Sequence, residues 1–214
     1  RQKYELDNYR ELLDLDDKYS GYQKVAANVI AMDGTNWFSS FTIDKGSKEG
    51  IKKGMNVIAG SGLVGIVTDV GPNFAKVRSI IDDSSNVSSM VLTTKDNFNV
   101  GGSLKSMNQD KVLPFTELRD EDDKVKVGDP VVTSYVSDQY QEGILIGYIA
   151  SIEKNANNLT KSGTITPVVD FQHLREVLVI TTLKDTGEKE LSSQKASDTQ
   201  AETQDNTETQ KSQE

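Results

Sequence analysis

The sequence predicts a mainly β protein: a short N-terminal coiled-coil helix, two small β-barrel subdomains of about six strands each, and a disordered acidic tail. Three observations predict it. Between about Tyr22 and Leu183, short β-branched or alternating runs recur with strong turn formers between them, the pattern of barrels or sandwiches. A motif of glycine turn, short strand, and strand with a central glycine occurs twice in that stretch. Beyond Lys184 there is no aromatic residue, and only Leu191, Ala196 and Ala201 are apolar, too little surface to offset ordering entropy.

The bulk numbers bound the function. A chain of 214 residues supports one medium domain or two small ones. There is no cysteine, which excludes disulfides and thiolate metal sites. The single histidine, His173, excludes a multi-histidine metal site and leaves at most one Ser-His-Asp arrangement. Net charge is −9, with eight acids against three lysines from Asp185 onward. No arginine- or lysine-rich stripe is visible, so nucleic acid is not an expected partner. No apolar run is long enough to cross a membrane, and no signal peptide is visible. The chain opens inside a helical pattern at Arg1-Gln2-Lys3-Tyr4, so a longer chain upstream is expected.

Residues 1–20 read as the helix. Leu6, Tyr9 and Leu13 are spaced three then four apart, the seam of a coiled coil, and Leu12 and Leu15 widen the stripe. Ser20-Gly21 is a helix stop. So short a helix is marginal alone in water, so Leu6, Tyr9 and Leu13 are expected to be dimerisation contacts; the alternative is packing on its own domain. The strand candidates follow as Gln23–Met32, Ser39–Asp44, Met55–Ala59, Gly62–Val70, Ala75–Ile80 and Asn86–Leu92. The second half supplies Val100–Ser103, Lys111–Phe115, Pro130–Thr133, Leu145–Ile152, Ser162–Pro167 and Glu176–Thr181. Asp33-Gly34, Lys45-Gly46-Ser47, Gly71-Pro72-Asn73 and Asp82–Asn86 are the turns between the early runs. A first barrel unit over 21–106 and a second over 107–183 are expected, with the seam near Leu104–Asp110 and the tail over 184–214; insertion of one unit into the other stays open.

The repeated motif is Lys53-Gly54-Met55-Asn56-Val57-Ile58 with Gly62-Leu63-Val64-Gly65-Ile66-Val67, then Val127-Gly128-Asp129-Pro130-Val131-Val132 with Gly143-Ile144-Leu145-Ile146-Gly147-Tyr148-Ile149. A mid-strand glycine marks a bend or a close backbone approach, so Gly65 and Gly147 are expected to do the same job in two similar units. Gly46, Gly50, Gly54, Gly62, Gly128, Asp129 and Gly143 complete the structural glycine and turn positions.

Trp37 through Ile81, reading WFSSFTIDKGSKEGIKKGMNVIAGSGLVGIVTDVGPNFAKVRSII, closely resembles the signature of the MreC family of rod shape-determining proteins. The likeness continues at Lys126–Ser134, at Glu142–Ile149 and through the closing run Asp170–Ile180, and Asp7–Leu13 is similar to the coiled-coil end ahead of that family's β core. Two departures are visible: Tyr135 stands where the family has glycine after Thr-Ser, and Ser103–Asp123 is more polar than the family's pattern. The resemblance implies a cell-membrane protein with a single-pass anchor and two β-barrels on the extracytoplasmic side. It implies a homodimer or higher homo-oligomer. The implied partners are MreD, the elongation-specific class B penicillin-binding protein (a transpeptidase), and other membrane proteins of the elongation complex. It also implies no enzymatic activity.

The residues give chemistry little support. His173 is the sole candidate base, and Ser61 and Ser134 are candidate nucleophiles without the Gly-x-Ser-x-Gly pattern. Asp120-Glu121-Asp122-Asp123 lacks the alternating ligands and central glycine of a calcium loop. Lys45, Lys48, Lys52 and Lys53 form a modest basic patch, read as a solvated face, with contact to anionic wall polymer or lipid headgroups as the alternative. The expectation is therefore a scaffold of peptidoglycan elongation that helps position cell-wall synthases and so controls cell shape, with no catalytic residue, cofactor or metal. It would offer barrel surfaces and strand edges to partners. The rivals are a cell-wall polymer or peptide binding module and a cryptic serine protease.

Overall fold

The computed structural model describes residues 18–32, 39–60, 62–156 and 159–184. The predicted seam of Leu6, Tyr9 and Leu13 lies outside the described residues, as do Asp33-Gly34, Trp37, Ser61 and the chain from Asp185 onward.

Twelve strands fill the described chain. They are β1 (Lys24–Met32), β2 (Ser40–Ile43), β3 (Asn56–Ala59), β4 (Gly62–Val70), β5 (Ala75–Ser79) and β6 (Asn86–Val91), then β7 (Asn97–Gly101), β8 (Leu113–Leu118), β9 (Pro130–Thr133), β10 (Leu145–Lys154), β11 (Lys161–Pro167) and β12 (Glu176–Ile180). One short α-helix, α1 (Leu104–Asp110), interrupts them. Ser103 caps it, its hydroxyl accepting from the Ser106 N–H at 3.2 Å, and Asp83 takes the Leu104 N–H at 2.8 Å.

The strands close two six-stranded antiparallel barrels, in the orders β1-β12-β3-β4-β5-β2 and β10-β11-β8-β7-β6-β9. The mainly β, double-barrel architecture is as the sequence predicts, but two expectations change. The seam is not at Leu104–Asp110, which forms α1 of the second barrel. β6 and β7, placed in the first unit, hydrogen-bond in the second barrel, and β12 returns to the first. The second barrel is thus inserted between β5 and β12. Strand runs are local, whereas barrel membership is decided by pairing across long separations. Closure also leaves no free strand edge in the two barrels as described, so the strand edges expected to be on offer are paired within them.

The two barrels share one design. Each has a tight turn whose glycine N–H reaches across to the next strand: Gly54 donates to the Val67 carbonyl at 2.9 Å and Gly128 to that of Ile149 at 2.8 Å. Each then has a bulge just before the central glycine, at Val64-Gly65 and at Ile146-Gly147. The bulged carbonyls receive equivalent donors, Ile80 N–H onto Val64 at 2.8 Å and Val168 N–H onto Ile146 at 3.1 Å. On this matching, β3, β4 and β5 correspond to β9, β10 and β11, and β1 and β2 to β7 and β8. The strand that follows β5, namely β6, fills the place in the second barrel that β12 fills in the first. Read along the chain, two six-stranded repeats have exchanged their last strands.

Burial follows the side-chain pattern. Phe41, Ile43, Val57, Val77 and Val179 are buried in the first barrel, and Val87, Val100, Phe115, Val131 and Ile165 in the second. Phe98 and Phe115 meet edge to face at 5.1 Å between ring centroids. All four residues of β3 are buried, as are Gly62–Val67 of β4 and Val177–Ile180 of β12. Strands covered on both sides read as continuous apolar runs; here the outer cover comes from the second barrel.

Candidate interaction surfaces

The joint between barrels is built from the long β9–β10 connection. Asn56, 2% exposed, uses its whole amide there: Nδ2 donates to the Gln139 carbonyl at 2.9 Å, and Oδ1 accepts the Gln141 N–H at 2.7 Å. Gln141 Nε2 reaches the Thr182 carbonyl at 2.9 Å just past β12. The incoming segment joins the same loop, since Leu145 N–H donates to the Tyr19 hydroxyl at 3.0 Å and Tyr22 Oη donates to the Glu142 carbonyl at 3.2 Å. Burial raises the Tyr19 and Tyr22 phenols, and pushes Tyr140 up to about 12 against the opposing pull of Arg78. These phenols therefore stay neutral, and those of Tyr19 and Tyr22 bond as neutral hydroxyls.

A charged network sits in the second barrel. Asp120 and Lys161 are both buried and pair at 2.6 Å. Asp120 also accepts the Lys124 and Val125 N–H groups at 2.8 and 3.0 Å. Burial pushes the Asp120 carboxyl up, but the Lys161 ammonium and the two backbone donors outweigh it and hold it below the usual range. Lys161, with Lys154, brings Asp123 down to about 2. Asp120, Asp122 and Asp123 are thus each paired with a lysine, Asp122 with Lys124 at 2.6 Å, and no group of three or more metal-binding side chains occurs among the described residues.

The structure places the remaining predicted positions as follows. Gly46, Gly50 and Gly54 shape the loop between β2 and β3, and Gly62 and Gly65 lie in β4. Gly128 and Asp129 make the turn before β9, where Asp129 Oδ2 accepts the Lys126 N–H at 2.9 Å. Gly143 precedes β10 and donates to the Thr133 carbonyl at 3.0 Å, and Gly147 lies within β10. A β-carbon at Gly65 would overlap the Arg78 carbonyl, and one at Gly147 that of Thr166. At Gly62 it would overlap the Leu145 carbonyl of the second barrel.

Ser134 and His173 are not brought together. Ser134 is fully buried, donates to Asn97 Oδ1 and accepts the Val136 N–H at 3.2 Å. His173 stands in solvent with Nδ1 2.7 Å from Asp170 Oδ2. A base and nucleophile without a mutual hydrogen bond, the nucleophile sealed from solvent, do not make a hydrolytic site.

Sequence reasoning missed an apolar row on the second barrel. Tyr148 pairs with Pro130, and Leu92 N–H donates to the Pro130 carbonyl at 2.9 Å. Val127 stands beside Gly128, whose N–H bonds Ile149, the residue after Tyr148. Leu92, Val127 and Tyr148 are 43%, 62% and 45% exposed. Each reads as an ordinary strand or turn residue, and only the register brings them together. The missed joint residue Asn56 carried one signal, a polar residue inside an otherwise apolar run.

Comparison with known proteins accords with this geometry. The family model described as "Rod shape-determining protein MreC, barrel core" matches residues 29–181. A cell shape-determining protein MreC of Listeria monocytogenes is 33% identical over 180 residues, 83% of this chain and 60% of that protein. The chain therefore spans less than two thirds of that curated relative's length. A solved MreC structure from Listeria monocytogenes superposes with a TM-score of 0.67 at 31% identity, covering 86% of this chain and 91% of that one. A complex between penicillin-binding protein PBP2 and MreC from Helicobacter pylori contains a chain that aligns at a TM-score of 0.55 and 12% identity, covering 75% of this chain and 100% of that one, a likeness of fold.

Proposed function

From the premise that this chain belongs to the MreC family of rod shape-determining proteins, we propose that it is a non-enzymatic scaffold of peptidoglycan elongation. It acts on the extracytoplasmic side of the cell membrane, held there by a single-pass anchor outside this sequence, and helps hold cell-wall synthases in place. The observation that carries this reading is the apolar row of Leu92, Val127, Pro130 and Tyr148 on a closed, cross-braced double barrel. Closed barrels offer a partner side chains rather than backbone edges, and contiguous exposed apolar residues mark protein contact surfaces. The partner is the elongation transpeptidase, in line with the PBP2–MreC complex of the Helicobacter relative. MreD and a second copy of this chain complete the assembly, the copies pairing through Leu6, Tyr9 and Leu13.

Calorimetry of this chain with the extracytoplasmic part of the cognate transpeptidase tests the reading. Saturable binding is expected, weakened about tenfold or more by Tyr148→Asp, as for the loss of a central anchor. Wild-type binding by the Tyr148→Asp variant removes the row from the interface. No binding, together with saturable binding to isolated peptidoglycan, transfers the function to the wall-polymer module. Light scattering of a Leu6→Asp, Leu13→Asp variant tests the pairing; an unchanged dimer rejects the seam.

A further inference from the structure

On the outside of the first barrel, the register sets Asn56 beside Ile66, Ile66 beside Arg78 and Arg78 beside Ser40. Val77 and Ser79 of β5 are buried, so Arg78 between them points outward. Arg78 and Ser40 stand directly opposite, which puts their β-carbons about 5 Å apart on one face. Asn56 uses its amide on Gln139 and Gln141, and this brings the intervening Tyr140 to the same row. The Tyr140 phenol is near enough to Arg78 for the guanidinium to pull it down against the larger effect of burial.

This cluster has donors and no acceptor. Arg78 Nε is buried without a hydrogen-bond partner, and the guanidinium forms no ion pair with any described residue. The side-chain hydroxyls of Tyr140 and Ser40 also bond no described residue. The acid nearest in the register, Asp69, stands opposite Lys76, so those two charges offset each other and the charge of Arg78 remains. Arg78 is the one charged group that acts on the Tyr140 phenol, so no carboxylate lies as near to it among the described residues. A buried donor without an acceptor keeps its full desolvation cost. An acceptor that draws the guanidinium outward removes that cost, so the unbound arrangement favours binding.

We propose that Arg78, Tyr140 and Ser40 form a receiving site for a carboxylate, supplied by an aspartate or glutamate side chain of a protein partner docked at the barrel joint. The chemistry selects a carboxylate over a phosphate. One cation with two neutral hydroxyls matches a single negative charge, and the planar guanidinium fork fits a carboxylate with two parallel bonds. A chain of net charge −9 holds off polyanions at long range. A lone carboxylate in solution gains little from one such site, whereas a protein partner adds the surrounding contact, and arginine and tyrosine are the side chains that most often dominate such contacts. That the partner is the transpeptidase rests on the reading above; the carboxylate chemistry does not.

Two measurements test it. In the first, acetate is titrated into the nitrogen-15-labelled chain and the arginine Nε–H signals are followed by NMR, the Arg78 signal being the one missing from Arg78→Lys. Saturable movement with acetate, and none with chloride at equal ionic strength, is expected. Equal movement with both salts overturns the proposal, and so does tighter binding of phosphate than of acetate, which makes the site a general anion site. In the second, calorimetry with the extracytoplasmic part of the transpeptidase is expected to show binding weakened about tenfold or more by Arg78→Met. Arg78→Lys, which keeps the charge but lacks the fork, is expected to weaken it too, and Arg175→Met, an exposed arginine of the same barrel, to leave it unchanged. Wild-type affinity in Arg78→Met, with Tyr148→Asp still weakened, overturns the transpeptidase as the source of the carboxylate. An acetate response without any transpeptidase binding rejects the scaffold reading and leaves the carboxylate site; transpeptidase binding without an acetate response does the reverse.

Discussion

Gly65 and Gly147 sit where a neighbouring carbonyl fills the space a β-carbon needs. Gly65→Ala or Gly147→Ala should cost about 1–3 kcal/mol, the usual range for overpacking. Gly21→Ala, with nothing within 4 Å of the added carbon, should change stability by less than about 0.5 kcal/mol; urea denaturation of the three variants checks both. At the buried pair, Lys161→Met leaves Asp120 without its cation and should cost about 3–5 kcal/mol near neutral pH. The pH dependence has a definite sign. The Asp120 carboxyl lies below its ordinary value in the fold, so its stabilisation is present above about pH 4 and fades as pH falls through the folded value. The gap between wild type and Lys161→Met should therefore shrink below about pH 4 in thermal denaturation. Parts of this scale were legible in the sequence. The doubled motif pointed to Gly65 and Gly147 as equivalents, because a mid-strand glycine has few other uses. Nothing in the acidic run Asp120–Asp123 indicated that a lysine 41 residues away lies against it.

At the scale of elements, alternating and β-branched runs located all twelve strands to within a few residues, because a strand's pattern is local. The run expected at Val100–Ser103 begins earlier, at Asn97, since Phe98 and Val100 point to the core together and Asn97 and Asn99 alternate with them. Helix α1 went unread, being only seven residues long and mostly polar. Its cap residue Ser103 and its buried Met107 were the available signals. The joint was illegible for a different reason. Asn56 meets Gln139 and Gln141 across separations of 83 and 85 residues, and no local pattern encodes such a meeting. Asn56→Ala strands the Gln141 N–H in a buried setting, at about 1–3 kcal/mol for that unsatisfied group, and leaves the part-buried Gln139 carbonyl without its donor. The expected outcome is a loss of coupling, with urea unfolding splitting into two steps when followed by probes in each barrel; one shared transition with unchanged midpoint would show that the joint does not depend on Asn56.

At the scale of the whole molecule, the sequence could count strands but not assign them, because β6 and β12 resemble their neighbours and differ only in which barrel they complete. The assignment has a measurable result. A chain stopped before Glu176 lacks β12 and leaves one edge each of β1 and β3 in the first barrel unpaired. It should lose the cooperative transition of that barrel and bind a hydrophobic dye, while the second barrel, β6 to β11, keeps its fold. The exchange of final strands also sets an order in time. Synthesis runs from the N-terminus, so β1 to β5 emerge as an open five-stranded sheet that cannot close. The inserted barrel is contiguous and can finish first, and its completion brings Arg175 beside Val29, where the Val29 N–H meets the Arg175 carbonyl at 2.7 Å. The last strand then arrives already tethered at the gap, which replaces a long chain search with a short one. Until that moment two strand edges lie bare. The vulnerable interval for aggregation or for pairing with another copy is therefore the time taken to make the second barrel.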